Sequence, residues 1–363
     1  MIRILHILNN LGSGGTETFV MNCYRKINRQ HIQFDFLIRS PNNNYLIKEI
    51  ESLGGRVFIM PNFPRKCISN YIETSRFLQS HKEYKILHVH ANSLIYTLPL
   101  ILGKQHHIPH RIIHSHSINC SGGFLGNIIH YLNRALISRW ATDFLACSTD
   151  AAKWMFNNDD YIHINNGIDL QLYQYSTCAR KIIRDKLNIH NDFVIGHVGR
   201  FLPVKNHAFI IDVFSEVLKY IPNSKLLLIG EGELPQNVKD KIESLRLAKS
   251  ICFAGVVSNV HEYLSAMDAF IFPSLYEGLG IALIEAQANG LPCFVANTIP
   301  AESILNDNVF ALNLCDKPSS WAQKIVKHAH DRIAHATLSD KLLYMDVRHT
   351  VQKLTDFYIS KLF

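Results

Sequence analysis

No apolar run in this 363-residue sequence approaches the ~20 residues needed to cross a bilayer, so any membrane contact is expected to be peripheral. The opening Met1–Leu8 is too short for a signal peptide and lacks a cleavage site. No Cys-x-x-Cys occurs. The cysteines at Cys23, Cys67, Cys120, Cys147, Cys178, Cys252, Cys293 and Cys315 are scattered, which gives neither zinc-ligand spacing nor a disulfide framework. Buried, reduced thiols are the expectation. Asp-x-Asp is also absent, and that carboxylate pair is what a divalent ion holding a diphosphate would need. No Lys/Arg tract resembles a nucleic-acid arm. The mild net charge of +7, with pI near 8.9, suits a phosphorylated ligand or an anionic membrane surface and does not demand nucleic acid.

What is present is ample apolar content, 47%, against 18% charged residues, enough for two cores in a chain of this length. Short apolar runs alternate with helical patterns. Strands are expected at Arg3–Leu8, Phe34–Ile38, Arg56–Met60, Ile86–His90, Arg111–Ser115 and Asp143–Cys147, with amphipathic stretches such as Glu17–Ile27 and Phe124–Trp140 between them. A turn cluster, Asn165-Asn166-Gly167-Ile168-Asp169, and a polar stretch through Asp192 interrupt the series. A second series runs through Phe193–Gly199, Lys225–Gly230, Ile251–Ala254, Ala269–Phe272 and Pro292–Ala296. The pattern reads as two Rossmann-like, doubly wound parallel-sheet α/β domains, 1–168 and 169–344, facing a central cleft. Residues 345–363 form a C-terminal helix that crosses back to the first domain.

The richest segment is Glu277-Gly278-Leu279-Gly280-Ile281 through Glu285. Glycines before a helix expose N–H groups, and a helix N-terminus favours anions. Carboxylates flanking a phosphate would repel it, so Glu277 and Glu285 suit a partner that donates hydrogen bonds, such as sugar hydroxyls. Phosphate donors beside hydroxyl acceptors suggest a nucleotide sugar. Arg200, just past a strand, and Lys205 can clamp a diphosphate without a metal. Gly12-Ser13-Gly14-Gly15-Thr16-Glu17 opens a helix after the first strand as a phosphate-approach loop. A dinucleotide fingerprint wants glycine where Glu17 stands and an acid where Arg39 stands, which weighs against NAD. His88-Val89-His90 and His114-Ser115-His116 close two strands, each pair on one face. No carboxylate or thiol falls beside them at ligand spacing, which weighs against a metal. His116 is expected to reach the cleft, and His88 and His114 to be core histidines with satisfied ring nitrogens.

Together these residues resemble glycosyltransferase family 4, of GT-B fold, nearly end to end. The resemblance is carried by Gly14-Gly15-Thr16-Glu17, His90 and His116, Asn166-Gly167-Ile168-Asp169, Gly199-Arg200-Phe201 with Lys205-Asn206, Gly230-Glu231-Gly232, Phe253-Ala254-Gly255-Val256, and the Glu277/Glu285 pair. It is strongest toward transferases of capsular and exopolysaccharide assembly. It implies a retaining, metal-independent hexosyl transfer from a UDP-sugar, with no cofactor, to a glycan acceptor linked to a polyprenyl diphosphate. It places Arg200 and Lys205 on the diphosphate, Glu277 on donor-sugar hydroxyls and Glu285 on the ribose. Backbone N–H groups at Leu279, Gly280 and Ile281, after Gly278, meet phosphate oxygens, and Val256 meets the base. His116 lies near the donor sugar, and Gly14 and Gly15 line the other side of the cleft. It also implies a cytoplasmic place, at most peripheral to an anionic inner membrane face. A nucleotide-sugar epimerase of the same fold and a non-catalytic sugar-nucleotide-binding subunit stay open as alternatives.

Overall fold

The structure, a computed structural model, describes residues 1–12, 14–40, 46–118, 122–157, 159–333 and 337–362. Ser13, Cys120 and Phe363, named above, lie outside them. The chain divides into two compact units, residues 1–167 with 347–363, and residues 168–346.

The first unit runs β1 (Ile2–Leu8), α1 (Gly15–Lys26), β2 (Ile32–Ile38), α2 (Ile47–Ser52), β3 (Val57–Ile59), α3 (Cys67–Ser80), β4 (Ile86–Ala91), α4 (Leu98–Gln105), β5 (His110–Ser115), α5 (Gly123–Leu136), β6 (Asp143–Ala146), α6 (Thr149–Met155) and β7 (Ile162–His163). The second runs α7 (Thr177–Leu187), β8 (Phe193–Val198), α8 (His207–Val217), β9 (Ser224–Ile229), α9 (Gln236–Ser244), β10 (Ile251–Gly255), α10 (Val260–Ala266), β11 (Ala269–Phe272), α11 (Ile281–Ala288), β12 (Cys293–Ala296), β13 (Val309–Leu312), α12 (Pro318–Lys327) and α13 (Asp340–Leu343). The last helix, α14 (Val347–Ser360), belongs to the first unit.

Each unit holds one parallel sheet, ordered β3-β2-β1-β4-β5-β6-β7 and β10-β9-β8-β11-β12-β13 among the described residues. Both orders reverse beside the first strand of the unit, the switch point at which doubly wound sheets place their ligands. The central strands are largely apolar because both faces are covered, and the polar side chains they carry, such as His6, Asp35 and His88, are buried. In β1, Ile4 and Leu8 join the core under α1 and α14, while Leu5 and Ile7 join the opposite one with Phe77, Leu78, Leu100 and Leu102.

Several details differ from the sequence reading. β7 and β13 are additional edge strands, of two and four residues. The polar stretch after Asp169 contains α7, whose Arg180 and Arg184 both pair with Asp268 ahead of β11. The tail is two helices, with Leu342 in the second unit's core and Val347, Leu354 and Tyr358 in the first's. No disulfide joins the described cysteines, but Cys67, Cys178 and Cys315 are exposed rather than buried, because they sit at helix starts and in a loop.

One buried charge organises the sheet edge. Asp35 on β2 is fully buried and accepts from Arg3 at 2.6 Å, from Arg56 at 2.9 Å and from the Tyr84 hydroxyl at 2.7 Å. Burial alone would raise its pKa, but the bonds from Arg3, Arg56 and Tyr84 outweigh it and hold the carboxyl below its ordinary 3.8. A depressed folded pKa adds stability that is complete above the unfolded value and is lost as the pH falls below about 3.8. Asp35→Ala is expected to cost about 3 kcal/mol, the low end for removing one partner of a buried pair, since both arginines reach solvent. Urea titrations at neutral and acid pH should show the gap between variant and wild type closing as the pH drops below 3.8.

Candidate functional site

In the second unit, two loops from opposite sides of the switch point are stitched together. The loop after β8 carries Gly199, Arg200 and Lys205, and the loop after β11 carries Ser274 to Gly280. The Leu275 N–H donates to Val204 O at 2.8 Å, and Asn206 Nδ2 donates to Pro273 O at 3.3 Å. Across this seam Lys205 Nζ meets Glu277 Oε1 at 2.6 Å, with side chains only 17% and 12% exposed. The ammonium also lies 5.0 Å from the centre of the Phe272 ring. Arg200 is exposed at the end of β8 and pairs with no carboxylate among the described residues.

Glycine makes the seam possible. Gly230 has φ +150, and any side chain there would collide with the Gly199 carbonyl oxygen. A side chain at Gly199 would crowd the Lys205 stem, 3.2 Å away.

Gly280, at φ +64, is the N-cap of α11 and supplies no side-chain cap, so the first N–H groups of that helix stay available. Ser303 Oγ donates to Leu279 O at 2.5 Å and fixes the turn from the other side. One turn into α11, Glu285 is buried and accepts from the Tyr173 hydroxyl at 2.7 Å. Burial, only partly opposed by that bond, pushes its carboxyl up to about 7. Val256 follows Gly255, which has φ +68 at the end of β10, and is 52% exposed.

In the first unit, Gly14 is the N-cap of α1, Gly15 its first residue, and again there is no side-chain cap. A side chain at position 14 would strike the Glu17 carboxylate, which bends back over the loop.

His116, one residue past β5, is part of a buried imidazole cluster. His6 Nδ1 lies 2.9 Å from His90 Nε2, and His90 Nδ1 lies 2.8 Å from His116 Nε2. In parallel, His88 sits 2.6 Å from the Tyr358 hydroxyl and 3.1 Å from His114 Nδ1. Desolvation keeps all five rings neutral, with His6 and His116 pushed down to about 3 and His88, His90 and His114 well below their ordinary value. His88 has both ring nitrogens bonded, but His114 Nε2 has no partner, which corrects the expectation that both core histidines are satisfied. The alternating strand brings both pairs to one face, and the β1–β4 register adds His6 opposite His88. Two triads, His6/His88/His90 and His90/His114/His116, each bring one ring nitrogen per residue within 4.8 Å of the others, so they could hold a metal. The 2.8 and 2.9 Å separations are those of shared protons, however, and zinc-bound nitrogens sit farther apart, at roughly 3.3 Å, around a tetrahedral ion.

Residues 13–172 match the family model described as Glycosyltransferase Family 4, and residues 179–341 match Glycosyl transferases group 1. A Bacillus subtilis (strain 168) protein named putative glycosyltransferase EpsF is 32% identical over 343 residues, which cover 90% of this chain and 88% of that protein. The chain belongs to glycosyltransferase family 4. A Staphylococcus aureus capsular polysaccharide biosynthesis glycosyltransferase, CapH, is 28% identical over 99% of both chains. The crystal structure of Anabaena Alr3699/HepE in complex with UDP and glucose superposes with TM-score 0.81 at 20% identity, over 99% of this chain and 100% of that one. The fold of the transferase is GT-B, and the enzyme is a glycosyltransferase.

Sequence reasoning did not find three contributors to these sites. Tyr173 lies in a turn remote from Glu285 in sequence, Ser303 in a short helical turn, and His6 in the middle of an apolar strand. Only His6 carried a usable signal: its place in β1 shares the alternation of the H-x-H strands.

Glu285 gives this family 4 transferase an inverted pH response. Its folded pKa, about 7, lies above the unfolded 4.5, so its contribution to stability is present below pH 4.5 and is lost as the pH rises through about 7. Glu285→Gln removes the titration. The melting temperature of the wild type minus that of the variant, without ligand, should therefore fall as the pH is raised through 7.

Proposed function

We propose that the transferase moves a hexose or N-acetylhexosamine from a UDP-sugar, with retention of configuration and without a metal or other cofactor, to a glycan acceptor carried on a polyprenyl diphosphate. The observation that carries this reading is the seam in the second unit. It sets a lysine, a glutamate and an uncapped helix N-terminus side by side, with an exposed arginine on the same loop as the lysine.

In this reading Lys205 and Arg200 neutralise the diphosphate as charge develops on the leaving group, and the N–H groups at Leu279, Gly280 and Ile281 add oriented dipoles. Lys205 is already held by Glu277, so it arrives oriented and its stem is not free to wander. Glu277 then has a second oxygen for donor-sugar hydroxyls. Glu285 accepts from the ribose hydroxyls once ionised, and its contact with Tyr173 holds it in place. Val256 offers its backbone to the base. His116, Gly14 and Gly15 are assigned to the reaction by the resemblance alone. The acceptor hydroxyl attacks on the face the nucleotide leaves, and neither glutamate acts as a nucleophile. HepE, whose crystal holds UDP and glucose, supports the donor class, and the net charge of +7 supports an anionic acceptor carrier.

UDP release measured with and without a polyprenyl-diphosphate glycan tests the reading. Acceptor-dependent release with a lengthened glycan is expected. Epimerised free nucleotide sugar, or binding without turnover, would sink it. Lys205→Ala should lower kcat by about two orders of magnitude, the typical loss of one electrostatic stabiliser. Near-normal turnover in that variant would remove Lys205 from the clamp.

A further inference from the structure

Arg39 stands one residue past β2, where a dinucleotide-binding sheet would carry an acid. An acid there accepts from ribose hydroxyls, whereas a cation favours a ligand with negative charge. Four loops meet around Arg39 at one end of the first sheet. Its backbone N–H donates to Asn9 O, after β1, at 3.1 Å, and its Nη1 donates to Phe63 O, after β3, at 3.4 Å. The guanidinium carbon lies 4.2 Å from the ring centre of Tyr96, after β4, and 5.8 Å from that of Phe63. Because β2 and β4 flank β1, the contact between Arg39 and Tyr96 closes over the end of β1, at the switch point of the sheet.

The aromatic wall is fixed in place. Tyr96 is buried, and its hydroxyl donates to Asn70 Oδ1 at 2.9 Å. Asn70, also buried, donates in turn from Nδ2 to Pro61 O at 2.6 Å. The rings of Tyr96 and Phe63 pack with centres 4.9 Å apart. A guanidinium held over a ring keeps its in-plane N–H groups for another partner.

That partner is missing from the chain. Among the described residues Arg39 pairs with no carboxylate, and residues 36–48 contain no Asp or Glu. One 3.4 Å bond leaves most of the five N–H donors unused. By contrast, Arg3 and Arg111 in the same unit are each tied by two bonds of 2.5–2.6 Å. Burial draws the pKa of Arg39 down, opposed only by Tyr96, yet an arginine stays charged. A charge withdrawn from water without a counter-ion is costly, and a bound anion would remove that cost.

We propose that Arg39, on its wall of Tyr96 and Phe63, binds an oxyanion of the acceptor, either the diphosphate of a lipid carrier or the carboxylate of an acidic sugar. The donor's diphosphate has Arg200 and Lys205 in the second unit, which leaves this cation for the other substrate. Assigning the anion to the acceptor rests on the function proposed above, whereas the anion site rests on Arg39 alone.

Thermal shift of the full chain with inorganic pyrophosphate, and separately with glucuronate, tests the site. Saturating UDP in every sample fills any diphosphate site of the second unit. No turnover is needed, so a failed transfer assay leaves the result legible. At least one anion should raise the melting temperature of the wild type. A response to pyrophosphate marks the carrier's diphosphate as the source, and a response to glucuronate marks an acidic sugar. Arg39→Met, which keeps the length of the stem, should weaken that binding at least about tenfold. Arg39→Lys keeps the charge but loses the fork and should fall between the two. Without anion, Arg39→Met should melt no lower than the wild type, since it removes an unpaired charge. No shift with either anion, equal shifts in wild type and Arg39→Met, or an anion-free Arg39→Met that melts well below the wild type would each overturn the proposal.

Discussion

The second unit depends on a place where two backbones touch. Gly230 leaves β9 with a dihedral closed to side-chain-bearing residues, and the Gly199 carbonyl occupies the space its Cβ would need. Phe201 then donates its N–H to Glu231 O at 2.8 Å, and the β8 loop folds down toward β11. Lys205 reaches Glu277 only because that descent is possible. A wider separation of the two loops would leave an ammonium and a carboxylate each in water, where the pair contributes little. Half-buried and 2.6 Å apart, they instead fix one another's rotamers beside a helix N-terminus.

The same unit keeps its two glutamates in opposite electrostatic settings. Glu277 faces a cation, whereas Glu285 faces a tyrosine hydroxyl inside the core. The first is held by charge and the second by burial, so a ligand meets one carboxylate already neutralised by a neighbour and another that must first lose a proton. The histidines of the first unit follow the second pattern. Five rings, four of them buried and His116 partly so, hydrogen-bond among themselves and to Tyr358 and stay uncharged.

The central strands were legible because each is built mainly of apolar residues, broken in β2 by Gln33 and Asp35, and that composition is the mark of a strand covered on both faces. The edges were not. β7 has two residues, too few to read, and β13 is a four-residue apolar run, Val309–Leu312, with no fully buried member, that the sequence reading passed over. Helix α7 escaped notice for a different reason. Its sequence is dominated by arginine and lysine, and what makes it structural is Asp268, some 80 residues away, which accepts from Arg180 and Arg184. The motif residues of the proposed donor site were visible as glycines and charges at strand ends. Their partners Tyr173 and Ser303 were not, because a hydroxyl in a turn looks the same whether it serves a carboxylate or water.

The contact between Tyr358 and His88 spans 270 positions of chain. Val347, Leu354 and Tyr358 are core residues of a unit whose other members end at Gly167. A nascent chain emerging at ~5–20 residues per second therefore exposes the α1 face of the first sheet for roughly 10–40 s while residues 168–346 are made. The second unit needs nothing from beyond that segment, since all of its strands lie within one continuous stretch. The order of synthesis is thus not the order of completion: the half of the protein that begins first closes last, and until it does its uncovered sheet is the surface most in need of a chaperone.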